Sequence, residues 1–449
     1  MSLTKATYSM IAGAPGNVLD FGADPTGVTE STAAFNAAIA QHKNVYVPTG
    51  TYLVDDVRIL SGTNLFGDGY YASTLIQKNN APAINIYSDP VAFPAVGQIL
   101  GASVENIGIQ GKTGATDAAF GMLAINGGAI FQTKIDIYTN GGKRGFESFC
   151  TGNAIFYCTF RMTVVNTTET SIVIDGGTYN EYSIFTSQSQ SGVALIESTS
   201  NSVFTNLAAE GQLKLNGAKN VYINPTVELI FGAALPAGSA AIETQGNYLT
   251  LQNPTVIMDS ASLAKFTYAF APFSGGVWQN PTITLLSGTL TNPFKTASSF
   301  PWTLIGPGSN TATNKLESVY VDNTNDSAQN LRSVTFVGDC SDWTDYQTAI
   351  GGATVQYTDG APTSPTVQLR NTTTSMLLQY SATVADVFIN LPYFPSNGQI
   401  ISFSCKSAIT TFHWNPTSGA AIISLPSSAS ALDVFSIIYY ATTNAWYQI

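Results

Sequence analysis

The chain has 449 residues, of which 17 are Lys or Arg and 28 are Asp or Glu, so charged residues make up only 10%, where soluble domains carry about 25%. Apolar residues make up 44%, which excludes a disordered chain, because such chains are poor in hydrophobic residues. The net charge of −11 and the lack of a large Lys or Arg cluster argue against nucleic acid as a partner. No stretch approaches the roughly 18 to 20 uninterrupted apolar residues of a membrane helix, which argues against membrane insertion.

Near the N-terminus, one predicted helix lies between two strand-like segments. The segment TESTAAFNAAIA (29–40) has Ala33 and Ala37 on one face, as expected of a helix. It overlaps the end of VLDFGADPTGVTE (18–30) and precedes NVYVPTGTYLVDD (44–56), where short apolar runs are bounded by Pro and Gly turns. The rest of the first two thirds of the chain consists of short apolar runs separated by Gly and Asn, a pattern that indicates repeats.

Four segments in the middle of the chain repeat one pattern. They align on an asparagine, with spacings of 18, 29 and 27 residues between successive asparagines. This irregular spacing indicates a parallel β-helix, whose strands keep their register from rung to rung while its turns vary in length. The segments are NSVFTNLAAE (201–210), NVYINPTVEL (220–229), LTLQNPTVIM (249–258) and VWQNPTITLL (277–286), aligned on Asn206, Asn224, Asn253 and Asn280.

The alignment also predicts which side chains lie inside, because side chains two residues apart in a strand point to the same face. The asparagines are expected to point inward as a ladder of side-chain amides. Two further columns are expected to point inward, namely Phe204, Tyr222, Leu251 and Trp278, and Ala209, Val227, Val256 and Ile283. Glu210 and Glu228, each next to a residue of the second column, are therefore expected to point outward.

From about residue 288 the repeat gives way to Thr, Ser, Pro and Gly, and longer alternating strands follow. These strands predict an antiparallel β-sandwich. We therefore expect an all-β protein in four parts. They are residues 1–28 as an N-terminal stalk segment, residues 29–300 as the capping helix and parallel β-helix, residues 301–320 as a linker, and residues 321–449 as a C-terminal sandwich-like domain that trimerises or binds carbohydrate.

Three N-terminal motifs resemble one known family, the pectate-lyase-like β-helix of bacteriophage tailspike polysaccharide depolymerases. The motifs are VLDFGADPTGVTESTAAFNAAI (18–39), VYVPTGTYLV (45–54) and LFGDGYYAST (65–74). The resemblance is close over residues 17–80, extends in pattern over residues 170–287 and is loose over residues 375–449. It implies a right-handed parallel β-helix, a homotrimer and depolymerisation of bacterial capsular polysaccharide or lipopolysaccharide O-antigen.

The resemblance also implies a protein of the virion. Such a protein folds in the host cytoplasm, is carried by the phage tail or an adaptor protein, and acts at the bacterial cell surface. Many tailspikes begin with a larger virion-attachment domain than this chain has. Either the sequence is trimmed, or about its first twenty residues carry out attachment.

Glycoside hydrolysis uses two carboxyl groups, about 5 to 5.5 Å apart for retention of configuration or roughly 6.5 to 9.5 Å apart for inversion. Neighbouring strands are about 4.8 Å apart, so Glu210 and Glu228 are expected to lie side by side. Two carboxyl groups this close resist joint ionisation, so that one can serve as general acid while the other stays anionic. These two residues are the leading candidate pair.

A second acidic column follows from aligning SIVID (171–175) with ALIE (194–197) and LKLN (213–216). This alignment places Asp175 beside Glu197. Either residue, combined with Glu181 or Glu210, is expected to give the wider spacing of an inverting site, within one chain or across a trimer groove.

Sugar binding commonly adds exposed aromatic side chains and amides. Tyr179 and Tyr182 are candidates for stacking against sugar rings, and Asn180 is a candidate for hydrogen bonds to sugar hydroxyls. The alternative for the two tyrosines is packing over a turn.

Two other functions stay open. A polysaccharide lyase needs a base and cations, and the only basic residues between 170 and 290 are Lys214, Lys219 and Lys265, which favours hydrolysis. A lyase stays possible because earlier rungs carry basic residues and a tyrosine, namely Lys134, Lys143, Arg144, Arg161 and Tyr157. A receptor-binding fibre that holds glycan without cleaving it is the second alternative.

No cofactor or metal is expected. The four cysteines lack metal-ligand spacing and the two histidines, His42 and His413, are far apart in sequence. The cysteines are expected to be buried, reduced thiols.

Overall fold

The structure is a computed structural model that describes residues 13–94, 97–272, 276–288, 290, 364–369, 373–392, 395–416 and 419–449, with separate strands between residues 294 and 360. The chain divides into two compact units, Met1–Ala271 with Thr282–Thr289, and Pro272–Pro281 with Leu290–Ile449. In the part of the chain described, no helix is long and apolar enough to cross a membrane.

The elements up to residue 150 are a 3₁₀ helix (Val18–Phe21), helix α1 (Thr32–Gln41) and the strands β1 (Gly16–Asn17), β2 (Thr26–Glu30), β3 (Asn44–Val47), β4 (Gly50–Val54), β5 (Val57–Arg58), β6 (Asn64–Gly67), β7 (Ser73–Gln77), β8 (Ile84–Ser88), β9 (Ile99–Leu100), β10 (Ser103–Gly111), β11 (Phe120–Ala124), β12 (Ile130–Phe131), β13 (Lys134–Gly141) and β14 (Phe146–Cys150).

The elements from residue 155 to residue 285 are a short helix α2 (Ser260–Leu263) and the strands β15 (Ile155–Phe156), β16 (Thr159–Val165), β17 (Ile172–Asp175), β18 (Glu181–Ser187), β19 (Val193–Glu197), β20 (Val203–Ala209), β21 (Gln212–Leu215), β22 (Val221–Ile223), β23 (Thr226–Glu228), β24 (Ala240–Thr244), β25 (Leu249–Gln252), β26 (Thr255–Met258), β27 (Tyr268–Pro272), β28 (Gly276–Gln279) and β29 (Thr282–Leu285).

The remaining strands are β30 (Phe294–Thr296), β31 (Trp302–Ile305), β32 (Ser309–Asn310), β33 (Val319–Val321), β34 (Val334–Val337), β35 (Gln347–Ile350), β36 (Ala353–Gly360), β37 (Thr366–Gln368), β38 (Thr373–Tyr380), β39 (Val384–Asn390), β40 (Ile400–Cys405), β41 (Ile409–Asn415), β42 (Ala421–Ile423), β43 (Val434–Tyr440) and β44 (Ala445–Gln448).

The predicted helix is present as α1 and packs against β1, β3 and β5. It begins at Thr32 rather than at residue 29, because Thr26–Glu30 form β2. The Asp24 carboxylate accepts hydrogen bonds from Thr26 and Thr29, and these bonds lower its pKa. Asp24 therefore holds the start of β2 in place before the helix.

The first unit is a parallel β-helix, as predicted. The first sheet contains two parallel ladders, one through β3, β6, β10, β13, β16, β18, β20, β22 and β25, and the other through β4, β7, β10, β13, β16, β18, β20, β23, β26 and β29. The second sheet stacks β5, β8, β11, β14, β17, β19, β21 and β24, and a short third sheet contains β9, β12 and β15. Both columns of apolar residues predicted to point inward are buried.

The asparagine column lies at a corner of the β-helix rather than inside it. Asn224 separates β22 from β23 and has a φ of 52°, and Asn253 separates β25 from β26 and has a φ of 51°. This left-handed conformation suits Asn better than most residues. The side-chain amide of Asn253 donates to that of Asn224 at 3.0 Å. The amide ladder is thus present, but the prediction that these side chains point inward is wrong.

The second unit has its own apolar core, formed by strands β37 to β44. Two sheets are present as predicted, but their strands are only partly antiparallel. The pairs β40–β43 and β43–β44 are antiparallel, whereas β36–β38–β40 and β37–β39–β41 are parallel ladders. The parallel pairing arises because the chain alternates between the two sheets from β36 to β41 instead of turning back beside the strand it has just left.

The residues expected to form a linker, 301–320, include β31 and β32, so the proposed domain boundaries stay predictions. Cys150, Cys158 and Cys405 are free and buried, whereas Cys340 lies outside the described residues.

Candidate active site

Glu210 and Glu228 lie at the ends of neighbouring parallel strands. The last pair of the ladder between β20 and β23 is Ala209 with Val227, and the residues that follow them in the chain are Glu210 and Glu228. Glu228 is exposed and Glu210 is half-buried. Because neighbouring strands are about 4.8 Å apart, the backbone places these two residues about one strand spacing from each other, as the sequence predicts.

One hydroxyl group supports Glu210. Ser187 precedes it on the neighbouring turn, and its hydroxyl donates to a carboxylate oxygen of Glu210. No ion pair involves Glu210 or Glu228 within the described residues. Within the described residues, neither carboxyl group is therefore neutralised by a basic side chain of the protein.

The second acidic column is offset by one residue from its predicted register. Glu197 pairs with Ile174, so Asp175 lies beside Ser198, whose hydroxyl donates to Asp175 at 2.7 Å. A shift of one residue exchanges the two faces of a strand. Asp175 consequently points outward, whereas Glu197 points inward.

Glu197 is fully buried. One carboxylate oxygen accepts from the backbone N–H of Thr199 at 2.9 Å and the other from that of Gly217 at 3.2 Å. The Tyr222 hydroxyl also donates to Glu197. Burial raises the pKa of the Glu197 carboxyl, and these hydrogen bonds oppose the rise. A polysaccharide cannot reach this side chain, so the prediction that Glu197 takes part in catalysis is wrong. Its carboxylate instead accepts hydrogen bonds from backbone N–H groups of two turns.

Glu181 is exposed, but it lies at the N-terminal end of its strand, whereas Glu210 and Glu228 lie at the C-terminal ends of theirs. It begins β18 and pairs with Val203, seven residues before Glu210. Asp175 ends β17 in the second sheet. Neither residue adjoins Glu210 or Glu228, so their part in a wider, inverting pair stays a prediction.

Two of the three predicted sugar-binding residues are inside the protein. The Tyr182 ring is stacked between Phe160 at 4.7 Å and Phe204 at 4.5 Å. Asn180 is buried, and its side chain accepts from the backbone of Cys158 at 2.9 Å. Both predictions of sugar contact are therefore wrong. Alternation along β18 places the Tyr182 side chain in the core, and Asn180, just before this strand, also points inward.

Tyr179 is exposed and has an exposed partner. Its ring stacks on that of Tyr157 at 5.5 Å with an interplanar angle of 13°. Both residues have a φ of 54°, an uncommon conformation for a bulky side chain, which directs each ring outward at a corner. Tyr179 stays a candidate for sugar binding.

The structure adds a cluster that the acidic residues alone did not reveal. The Tyr70 hydroxyl donates to Asp136, whose carboxylate lies 4.0 Å from the Arg161 guanidinium. On the same strand as Asp136, Lys134 pairs with Glu105 of the neighbouring strand at 2.6 Å. The adjacent tyrosines of the Gly-Tyr-Tyr segment were the only signal for this cluster in the sequence.

The basic residues that would be available for lyase activity are each close to an acidic side chain of the protein. Arg144 contacts Glu147 at 2.8 Å and Glu169 at 3.1 Å, and Lys143 lies 4.0 Å from Glu169. Arg161 is the most exposed of them. These acids already offset the cations that a lyase would need for a uronate.

Tyr70 is poorly suited to act as a base. Its burial, helped by the hydrogen bond to Asp136, raises its pKa to about 12, so the hydroxyl stays protonated near neutral pH. Among the described residues, no group of three or more His, Cys, Asp or Glu side chains is arranged to hold a metal ion.

Several solved structures are similar to this chain at low sequence identity. The structure described as the Agl-KA catalytic domain is 12% identical, with a TM-score of 0.46, over 72% of this chain and 68% of that one. Open reading frame 18 of Geobacillus virus E2 is 16% identical, with a TM-score of 0.39, over 72% and 62%. Gene product 12 of pre-mature bacteriophage phi29 is 12% identical, with a TM-score of 0.39, over 89% and 71%.

No curated protein sequence matches the chain. A family model described as rhamnogalacturonase A/epimerase, pectate lyase-like, matches residues 16–256, which is more than half of the chain and includes the capping helix, Glu210 and Glu228. The predicted resemblance to a pectate-lyase-like β-helix is confirmed, and it supports a polysaccharide-acting enzyme. The chain belongs to the pectate-lyase-like rhamnogalacturonase A/epimerase family.

Proposed function

We propose that this protein is a phage tailspike that binds a bacterial surface polysaccharide, capsule or O-antigen, and cleaves it by hydrolysis with Glu210 and Glu228. The observation that carries the proposal is that the β20–β23 ladder ends on the pair Ala209 and Val227, each of which is followed in the chain by an acid. A second pair of neighbouring acids, Glu105 and Asp136, is less suitable because Lys134 and Arg161 lie beside it.

The two carboxyl groups take different roles in this proposal. Glu210 is half-buried and bonded to Ser187, whereas Glu228 is exposed. A retaining mechanism needs one general acid and one nucleophile. We assign the nucleophile to Glu228, because it is the more accessible of the two, and the general acid to Glu210. Neighbouring strands spaced at about 4.8 Å are closer to the separation of a retaining pair than to that of an inverting pair, so we expect retention.

The experiment uses the full chain and purified capsule and lipopolysaccharide from a panel of host strains. Hydrolysis produces new reducing ends without an ultraviolet-absorbing double bond, and proton NMR of the first product reports the anomer. Elimination instead produces an unsaturated, ultraviolet-absorbing product. Binding without a fall in viscosity or a rise in reducing ends indicates a fibre that only holds the glycan.

We further propose that the protein acts as a homotrimer on the virion, with attachment to the phage tail or an adaptor through about its first twenty residues. The domain division stated above, with residues 321–449 as a trimerising or carbohydrate-binding part, belongs to this proposal. Light scattering on the purified protein measures the assembly directly. A monomer at micromolar concentration contradicts it.

A lyase is the second candidate, and one observation favours it. The Arg161 side chain is 73% exposed and lies on the same sheet as the acids, 4.0 Å from Asp136, so it could contact a uronate carboxylate. An unsaturated product that disappears in Arg161→Ala, but persists in Glu210→Gln, identifies this reaction.

A further inference from the structure

A second feature of the β-helix surface is a small cavity beside three tyrosines. The cavity measures about 160 Å³ and is lined by Tyr70, Tyr71 and Tyr138, with Thr74, Gln110 and Asn140 among its polar residues. Tyr71 is 81% exposed, and its ring lies 5.0 Å from that of Tyr138. The cavity therefore combines aromatic surface with amide and hydroxyl groups.

The backbone builds this cavity. Gly108 lies under the segment that carries the two neighbouring tyrosines, and a Cβ atom at Gly108 would meet the Tyr70 carbonyl oxygen at 1.9 Å. The hydrogen bond from Tyr70 to Asp136 fixes the same segment from its side chain. A glycine thus permits the close approach, and a buried carboxylate anchors the aromatic wall.

The chemistry of the lining selects an uncharged ligand. None of the residues that line the cavity is charged. Beyond the lining, Asp136 accepts from Tyr70 and lies near Arg161, and Lys134 pairs with Glu105. Aromatic rings pack against the apolar face of a ligand, and amides supply hydrogen bonds. A neutral pyranose ring fits this combination.

The cavity lies on the same sheet as the proposed catalytic pair. Tyr138 is followed in its column by Thr163, Phe185 and Ala208, one on each successive strand. Ala208 lies two residues before Glu210. Three strand spacings correspond to about 14 Å, a span of a few sugar residues, and Phe185 is 43% exposed between the two sites.

We propose that the cavity of Tyr70, Tyr71 and Tyr138 is a subsite that binds an uncharged pyranose unit of the same polysaccharide, a few sugars away from Glu210 and Glu228. This inference rests on the proposed function for the identity of its ligand. The subsite holds the chain along the β-helix while the carboxyl groups act on a distant linkage.

The test uses the full chain carrying both Glu210→Gln and Glu228→Gln, so that binding is measured without hydrolysis. Saturation-transfer NMR is recorded with the methyl glycosides of glucose, galactose, mannose, rhamnose, N-acetylglucosamine and glucuronic acid. We expect transfer to at least one neutral glycoside. Tyr71→Ala should weaken its binding about fivefold, as loss of an aromatic contact does, whereas Tyr71→Phe should retain it.

Tyr248→Ala is the matched control, because Tyr248 is also exposed, at 75%, and lies outside the cavity. The melting temperature of each variant shows that it is folded. Transfer to none of the neutral glycosides, transfer to the glucuronide alone, or equal binding by Tyr71→Ala overturns the proposal. This binding measurement does not depend on whether the wild-type protein cleaves polysaccharide. The proposed hydrolysis and the proposed subsite can therefore be rejected independently.

Discussion

Glu197 lies beside Ile174, and not beside Asp175, in the ladder between β17 and β19. This difference of one residue decides the role of both acids. Asp175 faces solvent, whereas Glu197 is enclosed and bonded to the backbone of Thr199 and Gly217. An acid that looks like a catalytic candidate in the sequence is therefore a buried structural group.

Glu197 should make stability depend on pH. Burial raises its pKa in the folded state, so between the unfolded value of about 4.3 and the raised value the folded protein binds more protons than the unfolded one. The free energy of unfolding consequently falls as pH rises through this window. Denaturant unfolding at several pH values should show a smaller fall in Glu197→Gln than in the wild type. An equal fall in both proteins contradicts this role.

Tyr182→Ala should destabilise the β-helix by about 3 to 5 kcal/mol, as expected for removal of a large ring from a core. The ring is enclosed between Phe160 and Phe204. Tyr179→Ala removes only an exposed stacking contact and should cost less than about 1.5 kcal/mol. Denaturant unfolding compares the two. Similar losses in both variants would show that the Tyr182 stack is not a major part of the core.

Asn224→Ala should cost about 1 kcal/mol or more, because Ala takes the left-handed conformation with strain and cannot bond to Asn253. Asn224→Gly relieves the strain and leaves only the lost amide, so it should be milder. Thermal unfolding ranks the two variants. A milder effect of Ala than of Gly contradicts the assignment of this residue to a left-handed corner.

Gly108→Ala should close the tyrosine cavity, because the new methyl group meets a backbone oxygen that cannot rotate away. We expect a loss of roughly 1 to 3 kcal/mol in stability and loss of neutral-glycoside binding in the same NMR experiment. Tyr70→Phe is the companion variant, since it removes the bond to Asp136 and keeps the ring. Unchanged glycoside binding in Gly108→Ala would contradict the described path of the tyrosine segment.

The parallel β-helix could be predicted because its signal repeats. The aligned asparagines gave the rung register, and alternation then predicted that Phe204 and Tyr222 are inside. The same reasoning failed for the asparagines themselves, because a left-handed corner interrupts alternation. It failed again for Glu197, where short segments around Gly turns allow an alignment one residue out of register and no tertiary contact was visible to correct it.

The positions of the candidate site residues could be predicted only where the predicted strand register was correct. Glu210 and Glu228 follow a ladder that the aligned repeats defined. The Tyr70 and Tyr138 cluster joins residues far apart in the chain, and Gly108 permits their approach through a backbone contact. No local pattern in the sequence encodes such a contact, so the cavity required the structure.

The most direct test of the proposed function is the rate at which the Glu210→Gln and Glu228→Gln variants cleave polysaccharide. Reducing ends released from a susceptible polysaccharide are measured for both variants, with Asp117→Asn as an exposed control on a different surface loop. The account predicts that Glu210→Gln loses about 10²- to 10⁴-fold in rate, the usual contribution of a general acid. Glu228→Gln should lose at least as much, because it removes the nucleophile, while the control cleaves normally. Full cleavage by both Glu variants would contradict the assignment of this pair.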